Sequence, residues 1–206
     1  MTTTTTTPTG LSRADRIGMY ATIAIAAAAA AATLWGTVAR LVDVLPGRDT
    51  PVLVPFLGET AALPIGPGGA PVDVQVEQAI VTVPRPAPAT QFALVAEPVV
   101  HGLAIVAGIT LLALLCWNLA RGRAFARANV RIMFWGAGVL TAGWFLGSLL
   151  TTMTVNGALS AVSEYDYDGI TFSTNWAFPF AILAIAAVGA AFQVGERLQR
   201  DTEGLV

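Results

Sequence analysis

Four stretches of this chain run for 19 to 24 residues without one Asp, Glu, Lys or Arg: Ile17 to Val38, Val99 to Ala120, Ile132 to Val155, and Trp176 to Val194. At a helical rise of about 1.5 Å per residue, roughly 20 apolar residues match the ~30 Å hydrocarbon core of a bilayer. A buried helix of a soluble domain seldom stays uncharged for so long. Four such stretches predict an all-α integral membrane protein, a bundle of four transmembrane helices (residues 17–38, 99–120, 132–155 and 176–194). The charged fraction of 12% agrees, against about 25% in an ordinary soluble domain. It argues against a disordered chain, a typical soluble enzyme, and direct nucleic-acid binding through charge.

The arginines set the expected orientation. All eleven basic residues are Arg, and eight of them lie on one side of the predicted spans. Arg13 and Arg16 precede the first span. Arg121, Arg123, Arg127 and Arg131 crowd the link between the second and third, and Arg197 and Arg200 follow the last. The other side holds Arg40, Arg48 and Arg85 among nine acids. The positive-inside rule then places both termini in the cytoplasm of a multi-pass cell (inner) membrane protein. Trp35, Trp117, Trp135 and Trp176 fall at predicted span ends, where amphipathic rings prefer to sit. A cleaved signal peptide is the alternative for the first span, since residues 26–32 are all Ala; the apolar run beyond them to Val38 favours a retained helix.

Outside the spans, the low-complexity N-terminus (residues 1–16, with a six-threonine run) is expected to be disordered and cytoplasmic. Residues 39–98 form the predicted extracytoplasmic segment. Its many prolines forbid long helices and central strands. Val72 to Glu77 alternates apolar and polar with period two, and Val52 to Phe56, Ile80 to Val83 and Gln91 to Val95 are weaker strand candidates. The segment reads as a small β-rich, Pro-rich cap between helices 1 and 2, with Leu63 to Gly69 as its turn.

Chemistry-bearing residues are few. Cys116 is the only cysteine and His101 the only histidine, which removes an intrachain disulfide, thiolate zinc sites and most triad chemistry. In the second extracytoplasmic loop (residues 156–175), Glu164, Asp166 and Asp168 precede Gly169 like the start of a calcium loop. Position twelve would be Asn175 rather than a bidentate Glu, so a hydrated acidic loop is the plainer reading. Glu97 and His101, four residues apart, are a candidate titrating pair against a plain interfacial role, with Pro98 interrupting them. No nucleophile motif, phosphate loop or paired membrane carboxylate occurs, so the expectation is a non-enzymatic protein without a cofactor. Gly143 and Gly147 in the third span, and Ala104 and Gly108 in the second, have the small-xxx-small spacing of close helix packing, within the bundle or across a homo-oligomer.

The most distinctive segment is the cytoplasmic hairpin, residues 121–131. Gly122 suits a helix C-terminus, and Phe125 sits among Arg121, Arg123, Arg127 and Arg131. These five residues would touch anionic lipid or a docked protein. The tail, residues 195–206, carries Glu196, Arg197, Arg200, Asp201 and Glu203 in mixed sign; the fourth helix is expected to run on to about Glu203, with Glu196 four residues before Arg200.

The hairpin from Arg121 through Phe125 and Asn129 to Arg131, together with the tail from Gly195 to Val206, resembles the bacterial domain-of-unknown-function family numbered 2975. The resemblance rests on these two motifs and the four-span layout, and not on the Pro-rich segment. It implies a four-helix membrane protein of unassigned function, often encoded beside a small helix-turn-helix regulator. Three functions follow as expectations. The first is a sensor or anchor for such a cytoplasmic regulator. The second is a small-molecule or lipid carrier or its accessory subunit, with a cavity near Gly143 and Trp144. The third is a structural subunit of a larger membrane complex.

Overall fold

Each of the four apolar stretches folds as a helix, and every one of those helices is longer than its apolar stretch. The computed structural model describes residues 12–123, 126–167, 172 and 176–203. In chain order the elements are α1 (Arg13–Val44), β1 (Thr50–Leu63), a short 3-10 turn (Pro67–Gly69), β2 (Val72–Val83), α2 (Pro88–Ala120), α3 (Arg127–Val162) and α4 (Ala177–Glu203). All four helices are long and apolar enough to cross a membrane. At most 28% of the positions in any of their apolar windows are buried by the chain itself. Trp35, Trp135 and Phe180 are about 70% exposed or more. Apolar surface on this scale goes with helices long and apolar enough to cross a membrane.

α1, α2 and α3 have 32, 33 and 36 residues, or about 48–54 Å each at the helical rise. That exceeds the ~30 Å core, so the four spans read from the sequence are the apolar middles of longer rods. The extensions have local causes. Ser12 caps α1 in a reciprocal box: its Oγ accepts the Asp15 N–H at 3.2 Å while its own N–H donates to Asp15 Oδ2 at 3.0 Å. α2 starts at Pro88, where a missing N–H costs nothing. It therefore takes in Gln91 to Val95, which are helical and not the strand expected, and it runs through Pro98 without a break. Pro88 thus starts a helix rather than breaking one.

Helix ends follow equally local chemistry. After Ala120, the Gly122 N–H bonds the Leu119 carbonyl (2.8 Å) and the Arg123 N–H bonds that of Asn118 (3.0 Å), with Gly122 at φ 74°. This double bond pattern needs a left-handed residue, which glycine adopts freely. α3 ends on the longer of these two bonds without a glycine, with Glu164 at φ 54° and the Tyr165 N–H bonded to the Ser160 carbonyl. At the end of α1, Gln91 Nε2 donates to the Val44 carbonyl at 2.7 Å, supplying a donor that the helix itself cannot. Within the apolar helices Thr22, Thr33, Thr110, Thr141 and Thr152 each donate to the carbonyl four residues back, so their hydroxyls are satisfied locally.

The chain divides into two compact units. The first comprises Met1–Trp35, Gly102–Gly143 and Ala177–Val206. Here α2 and α3 run antiparallel, and small residues set their approach. A Cβ on Gly143 would overlap that of Ala104, and one on Gly108 would lie 3.0 Å from Leu140 Cδ2. Gly189 of α4 closes on Met133. Backbones this close gain dispersion contact between the helices.

The second unit comprises Gly36–His101 and Trp144–Trp176. Its β1 and β2 form a two-stranded antiparallel hairpin, paired from Thr50↔Val83 to Pro55↔Gln78 and again from Glu59↔Val76 to Leu63↔Val72. The break lies between Pro55 and Glu59, beside Gly58 at φ 79°. The break has a counterpart in β2: Val74 and Val76 are half-buried before it; after it Ala79 and Val81 are half-buried and Val83 is buried. A one-residue phase change in a period-two strand turns its other face to the core. Pro51 and Pro55 are tolerated because each strand of a two-stranded sheet has an open edge. The base of the hairpin is clamped: Val52, Val54 and Val83 cluster with Val44, Leu94, Val155, Ala158 and Leu159.

Candidate functional site

The residues that bear charge and hydrogen-bonding groups in the first unit converge on the α2–α3 turn. Asn129, fully buried at the start of α3, is its keystone. Its Nδ2 donates to the Arg123 carbonyl at 2.6 Å, and its Oδ1 accepts from Asn118 Nδ2 at 2.8 Å. Asn118 therefore pairs across the turn with Asn129. A short polar side chain that satisfies both strands of a turn is easy to overlook in sequence, because the pairing exists only once two helices are antiparallel.

The arginines divide their work. Arg121 lies over the Trp117 ring, its guanidinium carbon 4.4 Å from the centroid, a cation–π contact. Trp117 in turn meets Tyr20 edge-on at 6.0 Å. Arg127 donates from Nε to Glu196 Oε1 at 3.1 Å, joining the turn to the α4 extension. This pair is worth no more than about 1 kcal/mol, because the Arg127 side chain is 73% exposed. Arg123 and Arg131 are exposed. Phe125 lies outside the described residues. α4 continues to Glu203, and Glu196 meets Arg127 of the turn; the Arg200 side chain of the expected Glu196–Arg200 pair lies outside the described residues.

Between α2, α3 and α4 of the same unit lies a cavity of about 590 Å³. Its walls include Gly108, Leu112 and Leu115 of α2, Gly136 of α3, and Phe178 and Ile185 of α4. Every lining residue is apolar. The volume falls inside the ~300–1,000 Å³ of ordinary ligand sites. It does not involve Gly143 or Trp144, where the sequence placed a cavity. Gly143 is filled by the approach of Ala104, and Trp144 belongs to the second unit, 6.1 Å from Trp176 with its indole N–H buried and unpaired among the described residues.

In the second unit, Glu97 and His101 share one continuous helix, one turn apart. Glu97 does not bond His101; its Oε1 accepts the Thr151 hydroxyl at 2.7 Å. His101 packs on the backbone of α3, where a Cβ at Gly147 would overlap its Nε2. Gly147 is thus explained by an imidazole in the same way that Gly157 is explained by Thr90. The calcium reading gains nothing: Asp168 lies outside the described residues, and no group of three His, Cys, Asp or Glu able to hold a metal occurs among them.

Asn129→Ala is expected to cost about 1 kcal/mol, the lower end of the ~1–3 kcal/mol for orphaned buried polar groups, since water reaches the exposed Arg123. Limited trypsin digestion at the turn arginines should quicken several-fold; an unchanged cleavage rate would contradict the keystone role.

No family model, no curated protein and no solved structure matches the chain.

Proposed function

We propose that this chain is a non-enzymatic, multi-pass protein of a bacterial inner membrane that anchors a cytoplasmic regulator. Both termini and the arginine turn face the cytoplasm in this reading, and the β-hairpin forms a sensing cap on the opposite side. The observation that carries it is the tie between turn and tail. Arg127–Glu196 and Asn118–Asn129–Arg123 hold two separate, charge-bearing segments as one prearranged surface. A preorganised surface loses less entropy on docking than two loose ends would. The arginine asymmetry of eight against three supports the orientation. The resemblance of the turn and tail to a family often encoded beside helix-turn-helix regulators names the class of partner.

The test is co-purification of the full chain, in mild detergent, with the helix-turn-helix product of a neighbouring gene. Recovery of the partner should drop severalfold for Glu196→Arg and for a joint Arg121, Arg123 and Arg131→Ala variant. Unchanged recovery in both overturns the reading. A lipid or small-molecule carrier is the second reading, favoured by the apolar cavity between α2, α3 and α4.

A further inference from the structure

We infer that the cavity of the first unit holds one acyl chain of an anionic phospholipid, whose phosphate lies against the arginines of the α2–α3 turn. The lining runs from Ile105 to Leu115 on α2, from Ile132 to Leu140 on α3 and from Phe178 to Val188 on α4. At the helical rise those segments are each about 12–15 Å long. That is the depth of one leaflet, half of the ~30 Å hydrocarbon core. The cavity has no polar residue in its walls, so it suits a chain and offers nothing to a polar solute.

Its position along the helices supplies the headgroup. Ile132 lines one end, and Arg131 is the residue before it, with Arg127 one turn further on. Leu115 lines the same end on α2, two residues before Trp117, over which Arg121 is stacked. No acid lies between Arg121 and Arg131 in the sequence, and with Arg127 paired to Glu196 the phosphate falls to Arg121, Arg123 and Arg131. The other end, at Phe178, Ile105 and Leu140, has no basic residue within a helical turn of it in the sequence. A guest with an anionic head and an apolar tail therefore has one orientation. The glycines fit this use: a Cβ at Gly136 would meet only Leu111, at 3.7 Å, so that position has room that its neighbours do not fill. The inference rests on the membrane placement of the helices and is independent of any docked regulator.

Native mass spectrometry of the full chain, exchanged into detergent with equimolar phosphatidylglycerol and phosphatidylcholine, tests it. One phosphatidylglycerol should be retained over phosphatidylcholine by about fivefold, the factor that ~1 kcal/mol for a basic residue at the membrane surface corresponds to. Gly136→Leu and Val188→Trp, which fill the cavity from different helices, should each abolish retention. Arg123→Gln with Arg131→Gln should keep the lipid and lose the preference. Thermal midpoints of the variants separate misfolding from loss of the site; if one variant misfolds, the other decides. Equal retention of both lipids overturns the headgroup assignment. Retention that survives filling of the cavity by a folded variant overturns the site. So does a bound species that proves to be detergent only.

Discussion

Leu94→Ala should destabilise the second unit by about 2–5 kcal/mol, the range for emptying a fully buried leucine site. Leu94 is 1% exposed and sits in the cluster that joins the base of the hairpin to Val44, Val155 and Leu159. Its surroundings leave little for collapse to exploit. Val52, Val54 and Val83 are held by strand pairing, and Val155 and Ala158 by a helix, so the space left by the isobutyl group stays largely empty. Pro98 adds to the dependence, because it has no N–H to donate to the Leu94 carbonyl one turn back. Leu103→Ala on the same helix is the control: its side chain is 64% exposed, and its effect should stay within about 0.5 kcal/mol. Denaturant unfolding in detergent, with amide exchange at residues 52–54 and 81–83, measures both. Equal stability of the two variants would show that the cluster is not what holds the hairpin.

Gly143→Leu should cost about 3 kcal/mol, the upper part of the range for overpacked sites. The first added atom already overlaps the Ala104 Cβ, and α2 backbone lies directly behind, with Ala104 Cα at 3.6 Å. Backbone does not step aside as a flexible side chain would. Gly138→Leu, five residues earlier on the same helix, meets nothing within 4 Å. There the usual gain on replacing a helical glycine, up to about 1 kcal/mol, should dominate and give a neutral or slightly more stable protein. The pair is thus a sign test on one helix. Similar thermal midpoints for the two variants would contradict the α2–α3 packing.

Much of this architecture was legible in the sequence. Absence of charge over about 20 residues is a one-dimensional signal, and it found all four helices. It said nothing of the extensions of α1, α2 and α3, because a helix that leaves the apolar region keeps its geometry while its composition returns to normal; the run of α4 to Glu203 was legible in the spaced charges of the tail. Most of the hairpin was legible from alternation; the phase change between Val76 and Ala79 was not, since Val72–Glu77 and Ile80–Val83 read as separate candidates. Gln91 to Val95 went the other way: a five-residue apolar run suits strand and buried helix equally, and Pro88 at a helix start decides between them. At the candidate site, the arginines and Gly122 announced themselves by type. Asn129 and Glu196 did not, since their partners Asn118 and Arg127 are 11 and 69 residues distant. The cavity between α2, α3 and α4 lies on other turns than Gly143 and Trp144. Whether a glycine marks space or contact depends on what faces it: Ala104 reaches Gly143, and only a leucine tip stands before Gly136.

The break at Gly58 makes the hairpin a cantilever. One end of the ladder is gripped by Val44, Leu94 and Val155, and the other carries Leu63, Ile65 and Val72 in the open. The outer arm, Glu59 to Leu63, extends roughly 15 Å at about 3.3 Å per residue, and at its root Glu59 Oε1 accepts the Tyr167 hydroxyl at 3.4 Å. The irregular register between Pro55 and Glu59 interrupts the row of backbone bonds that would stiffen the whole length. A load applied at the tip therefore bends or unzips the arm before it disturbs the gripped base. Whatever strikes the tip is met by the arm alone, and the helices to which the base is fastened feel only what passes the pivot.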